Sequence, residues 1–427
     1  MKTMQSYTYH WGMVMRIYPS TKGKQIIAKN AGSSRFVYNR LVAIQNELYM
    51  LRKPTIYLEP VAERISYLSS IHCNASALKN AIPFLSDEDI DSDMIHTTIK
   101  NYKSAWNLYF ENPKIGVPTF HKKGNTLSYQ TSNHYSGTVK NGLIDGNVRF
   151  IDKNHLHLPK IGKIRFKTSD KRVEQLLSRT AKTRIGTTTI FRDATGDYFA
   201  ALSIGSDTPL CYAMERAYKA CGFDLNLENF LWDSDGNVVP NMRFKRNMQD
   251  KINKSKRRLA RKINAAKRQG RNFRDSKNYQ KERKHLAELE RCVAAERENF
   301  HYTVAKDIVK NHDYIFGEDL KVSNLLKNHH LAYAISDVGW SSFLRRLAWS
   351  AEKNGRTMLL VPPHFTTQTC SACGHVMKGD EKLTLGDREW VCPKCKTYHI
   401  RDYNASINIM NKGLEVLRNA GVEPELK

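Results

Sequence analysis

Two closely spaced cysteine pairs are the most specific chemical signal in the chain. Two residues separate Cys370 from Cys373, two separate Cys392 from Cys395, and eighteen lie between the pairs. Four thiolates at this spacing are typical of a zinc ribbon, in which each pair supplies two ligands to one tetrahedral Zn²⁺ ion. Because four protein ligands leave no open coordination position, the predicted role of the single zinc ion is structural.

The histidines beside these pairs, His375 and His399, could in principle replace a thiolate. Since four cysteines already fill the tetrahedron, we expect both histidines at the surface. The other four cysteines, at positions 73, 211, 221 and 292, are scattered along the chain. Paired CxxC units in a chain that we expect in the cytoplasm indicate zinc rather than a disulfide framework.

Three acidic residues at the ends of predicted elements form the second signal. Asp224 ends an apolar strand, Glu318 ends another, and Asp402 begins the final helix. Taken singly, each has an ordinary explanation as a turn residue, a solvated strand end or a charge at a helix N-terminus. Together they fit the first strand, the fourth strand and the last helix of an RNase H-like site. There, carboxylate oxygens hold two Mg²⁺ ions, one activating water and the other stabilising the leaving 3′ oxygen.

A dense basic segment between Lys245 and Lys284 is opposed by few acidic residues. An ordinary solvated helix mixes the two signs, so this density predicts contact with phosphate groups. Arg388, near the second cysteine pair, is a further candidate for holding a phosphate, with a plain surface arginine as the alternative. The basic side chains that we select as nucleic-acid contacts are Lys256, Arg257, Arg258 and Arg261.

Composition agrees with a polyanionic partner. The 427 residues carry a formal net charge of +26, from 68 Lys and Arg against 42 Asp and Glu. Solubility needs far less charge than this, so nucleic acid is the expected partner, with a merely solvated cationic surface as the alternative. No apolar run approaches the roughly 20 residues that span a bilayer, and we expect no signal peptide because Tyr7, His10 and Trp11 interrupt the first residues. We therefore expect a cytoplasmic protein without a membrane partner.

The pattern of apolar residues predicts a multidomain α+β protein. Its first part contains a strand over 12–18, a helix from Arg35, a helix after a capping box at 86–89, and short β runs from Pro113. These β runs predict a small β-barrel that pairs with the N-terminal strand, so that the helices form an insertion.

The second part, from about residue 213, has the order of elements of an RNase H-like fold. It runs strand, hairpin, helices, strand, helix, strand and helix, with long helices over 245–310, a helix over 337–354 and the last helix from Arg401. The cysteine region lies between the last strand and the last helix.

The second part of the chain contains six short motifs. They are Gly222-Phe-Asp-Leu-Asn226, Gly317-Glu-Asp-Leu320, Ile335-Ser-Asp-Val-Gly-Trp340, Thr367-Gln-Thr-Cys-Ser-Ala-Cys-Gly374, Arg388-Glu-Trp-Val-Cys392 and Arg401-Asp-Tyr-Asn-Ala-Ser-Ile-Asn408. These motifs are similar to those of the TnpB family of transposon-encoded RNA-guided nucleases, and compact type V CRISPR effectors share most of them. Two N-terminal stretches, over 34–40 and 116–122, resemble the same family, so the likeness covers nearly the whole chain.

The resemblance implies an RNA-guided DNA endonuclease, directed by a bound guide RNA to target DNA next to a short motif. Asp224, Glu318 and Asp402 would be its RuvC catalytic triad. It also implies a wedge-like β-barrel over 1–35 and 113–212, a helical recognition domain over 36–112, and a RuvC nuclease domain over 213–427 with a zinc ribbon inserted at 366–400.

Two positions depart from the family pattern, and two other functions remain open. Asn226 stands where the family usually has glycine, and Ile400 where an aspartate often precedes Arg401. A DNA-joining transposase would also use an acidic triad on this fold. A non-cleaving RNA- or DNA-binding protein would explain the charge and the zinc ligands, but not the three carboxylates. The sequence does not decide between a monomer and a homodimer.

Overall fold

The computed structural model describes residues 3–53, 58–124, 126–140, 143–168, 172–177, 183–207, 214–384 and 386–427. The chain divides into two compact units, Met1–Leu210 and Cys211–Lys427. The predicted domain boundary between residues 212 and 213 lies outside the described residues. In the described part of the chain, every helix is too short or too polar to cross a membrane.

The first unit combines one large sheet with a helical block. Its helices are α1 (Thr21–Leu51), α2 (Glu59–Ile71), α3 (Ala75–Ala81), α4 (Ser92–Glu111) and α5 (Arg172–Leu177). Its strands are β1 (Tyr9–Tyr18), β2 (Leu127–Thr131), β3 (Tyr135–Lys140), β4 (Leu143–Gly146), β5 (Arg149–Asp152), β6 (His155–Leu158), β7 (Gly162–Lys167), β8 (Thr183–Arg192) and β9 (Tyr198–Ser206).

The nine strands form one sheet rather than a closed barrel. Its path is β3-β4-β8-β9-β1-β7-β6-β5, with β2 paired to β8. As predicted, β1 lies inside this sheet, antiparallel to both β9 and β7. The two end strands, β3 and β5, do not pair with each other in the described residues, so the predicted barrel is a half-barrel.

The helical block begins earlier than the sequence predicted. α1 starts at Thr21, and the Ser20 side chain accepts a hydrogen bond from the Gly23 amide, 3.1 Å away. The apolar pattern did not predict this start because two glycines lower the helix propensity of the segment. In the structure, burial of Ile26 and Ile27 stabilises the helix despite these glycines. The predicted boundary between residues 35 and 36 therefore lies inside α1.

The cap of α4 also differs from the prediction. Asp91, not Ser86, precedes α4, and its carboxylate accepts from the Asp93 amide at 3.0 Å. Residues 83–86 form a short 3₁₀ helix instead.

The second unit contains a five-stranded sheet with helices on both faces. Its strands are β10 (Ala220–Leu225), β11 (Asn229–Asp233), β12 (Val238–Pro240), β13 (Tyr314–Glu318), β14 (Thr357–Val361), β15 (Glu389–Val391) and β16 (Tyr398–Ile400). Its helices are α6 (Phe244–Arg268), α7 (Lys277–Asn311), α8 (Val322–Leu325), α9 (His329–Val338), α10 (Trp340–Lys353) and α11 (Arg401–Asn419).

The five-stranded sheet has the order β12-β11-β10-β13-β14. β10, β13 and β14 are parallel, whereas β11 and β12 extend the sheet as an antiparallel hairpin. One core packs Phe223 and Ile315 with Phe343 of α10, and a second packs Phe316 with Ile409 of α11. Because both faces are covered, β10 and β13 are nearly continuous apolar runs.

The helix predicted over 337–354 is interrupted at Gly339, which has a left-handed φ of 70° between α9 and α10. The buried Asp337 carboxylate accepts from the backbone amides of Lys245 and Arg246, at 2.8 and 3.1 Å. Asp337 therefore caps the N-terminus of the basic helix α6, where a negative charge is favourable.

Two glycines allow α11 to lie directly on the sheet. A Cβ atom at Gly222 of β10 would lie 2.5 Å from the Met410 backbone nitrogen and closer still to the Ser406 carbonyl. A Cβ atom at Gly413 would overlap the ring of Phe316. The helix can approach these strands only because both side chains are absent.

We expect Gly222→Ala to destabilise the second unit by about 3 kcal/mol, the upper end of the usual cost of overpacking. The reason is that its Cβ meets helix backbone rather than a flexible side chain. The measurement is the melting temperature of the full chain. Gly12→Ala in β1, where nothing lies within 4 Å of the new Cβ, is the control and should change little. Equal melting temperatures for the two variants would contradict the packing argument.

Candidate active site

Asp224 and Glu318 lie at the carboxyl ends of neighbouring parallel strands. The register of β10 and β13 pairs Gly222 with Phe316. Asp224 lies two residues beyond Gly222 on β10, and Glu318 lies two residues beyond Phe316 on β13. Because parallel strands end at the same edge of a sheet, the two acidic residues lie side by side.

Asp402 reaches the same place from the first turn of α11. Its negative charge, like that of Glu318, acts on Asp224. Asp224 and Asp402 are buried, and Glu318 is partly buried. The structure therefore brings together the three acidic residues that the sequence singled out.

The electrostatics of this cluster are unfavourable for negative charge. Burial raises the pKa of Asp224 well above its usual range, and the charges of Glu318 and Asp402 raise it further, whereas Arg401 lowers it. Burial also raises the pKa of Glu318, against the hydrogen bond from Thr366 and the charge of Lys412. A group of carboxylates in this environment favours a bound cation.

Asn226, Arg401 and Arg388 each place a nitrogen atom near the carboxylate of Asp402. Asn226 Nδ2 donates to Oδ2 at 3.1 Å, and Arg401 Nε donates to Oδ1 at 3.2 Å. Arg388 Nη1 lies 3.7 Å from Oδ2, and its Nη2 lies 3.5 Å from Glu228. Asn226, the departure from the family pattern, thus contacts an acidic residue of the site, and Arg388 lies beside that residue.

A cavity of about 470 Å³ adjoins the cluster. Asp224, Asn226 and Asp402 line it from the sheet and α11, while Gln368 and Lys382 line it from the cysteine-bearing segment. It leaves space for ions and for a substrate group next to the carboxylates.

The four predicted zinc ligands also converge. Sγ of Cys370 lies 3.6 Å from Sγ of Cys395, Sγ of Cys373 lies 3.7 Å from Sγ of Cys392, and all four sulfurs lie within 4.8 Å of one another. Zinc–sulfur bonds of about 2.3 Å in a tetrahedron place sulfurs about 3.8 Å apart, so the geometry fits one Zn²⁺ ion.

The expectation of a surface position is wrong for His399. Its side chain is buried, its ring centroid lies 4.4 Å from that of Trp390, and its Nε2 lies 3.1 Å from Sγ of Cys370. It lies on β16, which pairs with β15 and thereby encloses the ring beside the thiolates. His375 is partly exposed and pairs with Glu381.

Two buried asparagines, overlooked as site residues in the sequence, attach the cysteine-bearing segment to α11. Asn404 donates to the Thr369 carbonyl and accepts from the Ser371 amide, both at 2.8 Å. Asn408 donates to the carbonyls of Thr366 and Thr369, at 2.8 and 2.6 Å. Their spacing of four residues on one helix face was the available signal.

The basic segment forms the helical hairpin of α6 and α7, which breaks near Gly270 as predicted. Ile252 and Ala266 of α6 are buried. The four selected cations are exposed, and one of them, Lys256, has Glu290 at 3.9 Å. They are Lys256, Arg257, Arg258 and Arg261.

Family models match three segments of the chain. A "Cas12f1-like, TNB domain" matches residues 340–409, a "Probable transposase" of the OrfB_IS605 type matches residues 211–329, and the "Helix-turn-helix domain" of the same type matches residues 12–53. The last match covers all of α1 and most of β1.

Curated relatives match over longer stretches. InsQ of Escherichia coli (strain K12), to which RNA-guided DNA endonuclease activity is ascribed by name, is 26% identical over 433 aligned residues, which cover 98% of this chain and 94% of InsQ. A Streptomyces pristinaespiralis protein with the same ascribed activity is 31% identical over 229 residues, or 53% of each chain.

A solved structure shares the fold. The cryo-EM structure of a Cas12f1–sgRNA–target DNA complex contains a chain that superimposes with a TM-score of 0.53 at 14% identity, covering 94% of this chain and 99% of that one. The segment matches, the curated relatives and this fold agree with the motifs, so the chain is similar to the OrfB_IS605-type proteins in two segments and to the Cas12f1-like TNB domain in a third.

Proposed function

We propose that the protein is an RNA-guided DNA endonuclease that hydrolyses phosphodiester bonds at an RuvC-type site. The observation that carries the proposal is the convergence of Asp224, Glu318 and Asp402 at one edge of a parallel sheet. The activity ascribed by name to the two curated relatives supports it. So does the mixed five-stranded sheet with α11 against it, in the element order expected for an RNase H-like domain.

The donor set fits Mg²⁺. Carboxylate oxygens are the ligands this hard cation prefers, and a buried cluster that repels its own charge is stabilised by a divalent ion. Two Mg²⁺ ions held by the triad would lower the pKa of the attacking water and stabilise negative charge on the leaving 3′ oxygen.

The chain's own residues supply positioning. Asn226 and Arg401 hold the two oxygens of Asp402 in place. The half-exposed guanidinium of Arg388 lies 3.7 Å from Asp402, and we assign it to the scissile phosphate of a bound strand. A planar guanidinium suits this task because it can donate two parallel hydrogen bonds to one phosphate.

The cysteine-bearing segment over 366–400 is assigned as a zinc ribbon with one structural Zn²⁺ ion. Four thiolates spaced as the edges of a tetrahedron fit this ion and leave no site for water. Residues 213–427 then form the nuclease domain. The sheet and helices of the first unit form the wedge and recognition parts, with their boundary at the start of α1.

The exposed cations of α6 hold the sugar–phosphate backbone of the guide RNA or of its duplex with target DNA. Such contacts supply affinity and position, while base pairing with the guide reads the sequence. Because the protein binds the backbone rather than the bases, it needs many positive charges, which accounts for its strongly basic composition.

A DNA-joining transposase is the second candidate, because the model matching residues 211–329 carries that description. The two functions differ in their products. Guided hydrolysis leaves free DNA ends at a target that matches the guide RNA. A transposase instead joins a donor strand to new DNA. Sequencing the product ends separates them.

We expect Asp224→Ala, Glu318→Ala and Asp402→Ala each to abolish Mg²⁺-dependent cleavage while RNA and DNA binding stay nearly unchanged, because these carboxylates hold metal rather than nucleic acid. Asp319→Asn is the matched control, since this neighbouring carboxylate is half-exposed and pairs with Lys321 at 2.6 Å. Cleavage by any alanine variant at the wild-type rate would remove that residue from the triad.

Purified protein should contain about one zinc per chain, and Cys392→Ser should lose it together with most nuclease activity, because thiolate sites fold with their metal. Elemental analysis is the measurement. Cys292→Ser, an exposed cysteine of α7 outside the cluster, should retain the zinc. A folded, active preparation without zinc would contradict the assignment.

Replacing Lys256, Arg257, Arg258 and Arg261 by Gln should weaken binding almost equally for two unrelated guides. It should also flatten the salt dependence of the affinity by about one unit of slope for each lost phosphate contact. Filter binding over a salt series measures both.

The control for charge loss is the double variant Lys306→Gln with Lys310→Gln, near the C-terminal end of α7. For each charge removed, it should change the slope of log affinity against log salt less than the α6 variant does. An unchanged slope in the α6 variant would show that these cations are only a solvated face. Loss that depends on the guide sequence would instead indicate base recognition.

A further inference from the structure

Glu318 has one hydrogen-bond donor that no sequence motif assigned to the site. Oγ1 of Thr366 donates to Oε1 of Glu318 at 2.5 Å. In the described residues, no hydrogen bond reaches the other carboxylate oxygen, Oε2. One oxygen is therefore fixed by a neutral donor, while the other stays available.

Thr366 is itself rigidly placed. Its side chain is buried, with 2% exposure. The preceding residue, Phe365, has a left-handed φ of 60°, which is unfavourable for a non-glycine residue. The Phe365 carbonyl accepts from the amides of Gln368 and Thr369, at 3.2 and 3.0 Å, so a tight turn holds this conformation.

The same turn is fastened to the helix that bears Asp402. Asn408 of α11 donates to the Thr366 carbonyl, which lies within this turn, at 2.8 Å. α11 therefore determines where Thr366 lies as well as where Asp402 lies. Two acidic residues from different elements are oriented from one helix.

We infer that Thr366 is a positioning residue that orients the Glu318 carboxylate for metal binding. This rests on the proposed function, in which Glu318 is a metal ligand. The hydroxyl group holds Oε1 and so limits rotation of the carboxylate, leaving Oε2 directed for coordination. Hydrogen bonds of this kind to ligating carboxylates usually change metal affinity or activity by about 10–100-fold when they are removed.

The test compares Thr366→Val with Thr366→Ser in the full chain carrying its copurified guide RNA. Valine has nearly the same shape but no hydroxyl group, and serine keeps the hydroxyl group. We expect Thr366→Val to raise the Mg²⁺ concentration for half-maximal cleavage by about tenfold or more. Direct Mn²⁺ binding, followed by electron paramagnetic resonance, should weaken in parallel, whereas Thr366→Ser should stay close to wild type.

If Thr366 only stabilised the fold, its substitution would weaken Mn²⁺ binding whether or not Glu318 is present. The double variant Thr366→Val with Glu318→Ala tests this. Because Thr366 acts through Glu318, Thr366→Val should cause no further loss of Mn²⁺ binding in that background. Melting temperature and zinc content are measured for every variant. If Thr366→Val does not fold, Thr366→Ala takes its place, with the same expected changes.

Three results would overturn the inference. The first is that Thr366→Val needs the same Mg²⁺ concentration for cleavage and binds Mn²⁺ as tightly as the wild type. The second is that Thr366→Ser loses as much Mn²⁺ binding as Thr366→Val. The third is that Thr366→Val weakens Mn²⁺ binding further when Glu318→Ala is already present. Failure of the proposed function looks different, because the wild-type protein would then show no Mg²⁺-dependent cleavage at all.

Discussion

The close approach of α11 to β10 and β13 is the contact on which the candidate active site depends. Gly222 and Gly413 leave no side chain between helix and sheet, so the helix backbone lies directly on the strands. This approach brings Asp402 to the sheet edge where Asp224 and Glu318 already lie side by side. If α11 were displaced from the sheet by even the width of a methyl group, Asp402 would move away from Asp224 and Glu318.

That arrangement concentrates negative charge in a partly buried place, which works against stability. The raised pKa of Asp224 shows the conflict, since burial and two neighbouring carboxylates all disfavour its ionised form. Apolar cores on both faces of the sheet offset this cost in the rest of the unit. In its described residues, the cysteine-bearing segment has a small apolar cluster that includes Met377 and Trp390, so we expect its fold to rely on the thiolate site and on its hydrogen bonds to α11.

The convergence of the four cysteines and of the three carboxylates could be predicted from the sequence because both signals are local. CxxC spacing and the apolar strand ending in Asp224 are visible in a few residues, and most second-unit elements followed from periodicity. The start of α1 was missed because burial of its first turns outweighed two glycines. Burial of His399 and the bond from Thr366 to Glu318 depend on residues distant in sequence, and hence on tertiary packing that no local pattern encodes.

The most direct test of the central claim combines the copurifying RNA with a matched DNA target. The RNA bound to purified protein is sequenced, and a plasmid library is built that carries the matching target beside randomised flanking bases. The account predicts that a subset of flanks is cut at the matched target in Mg²⁺, that EDTA stops the reaction, and that a scrambled target is spared. Cutting that ignores the RNA match, or no cutting of any library member, would contradict it.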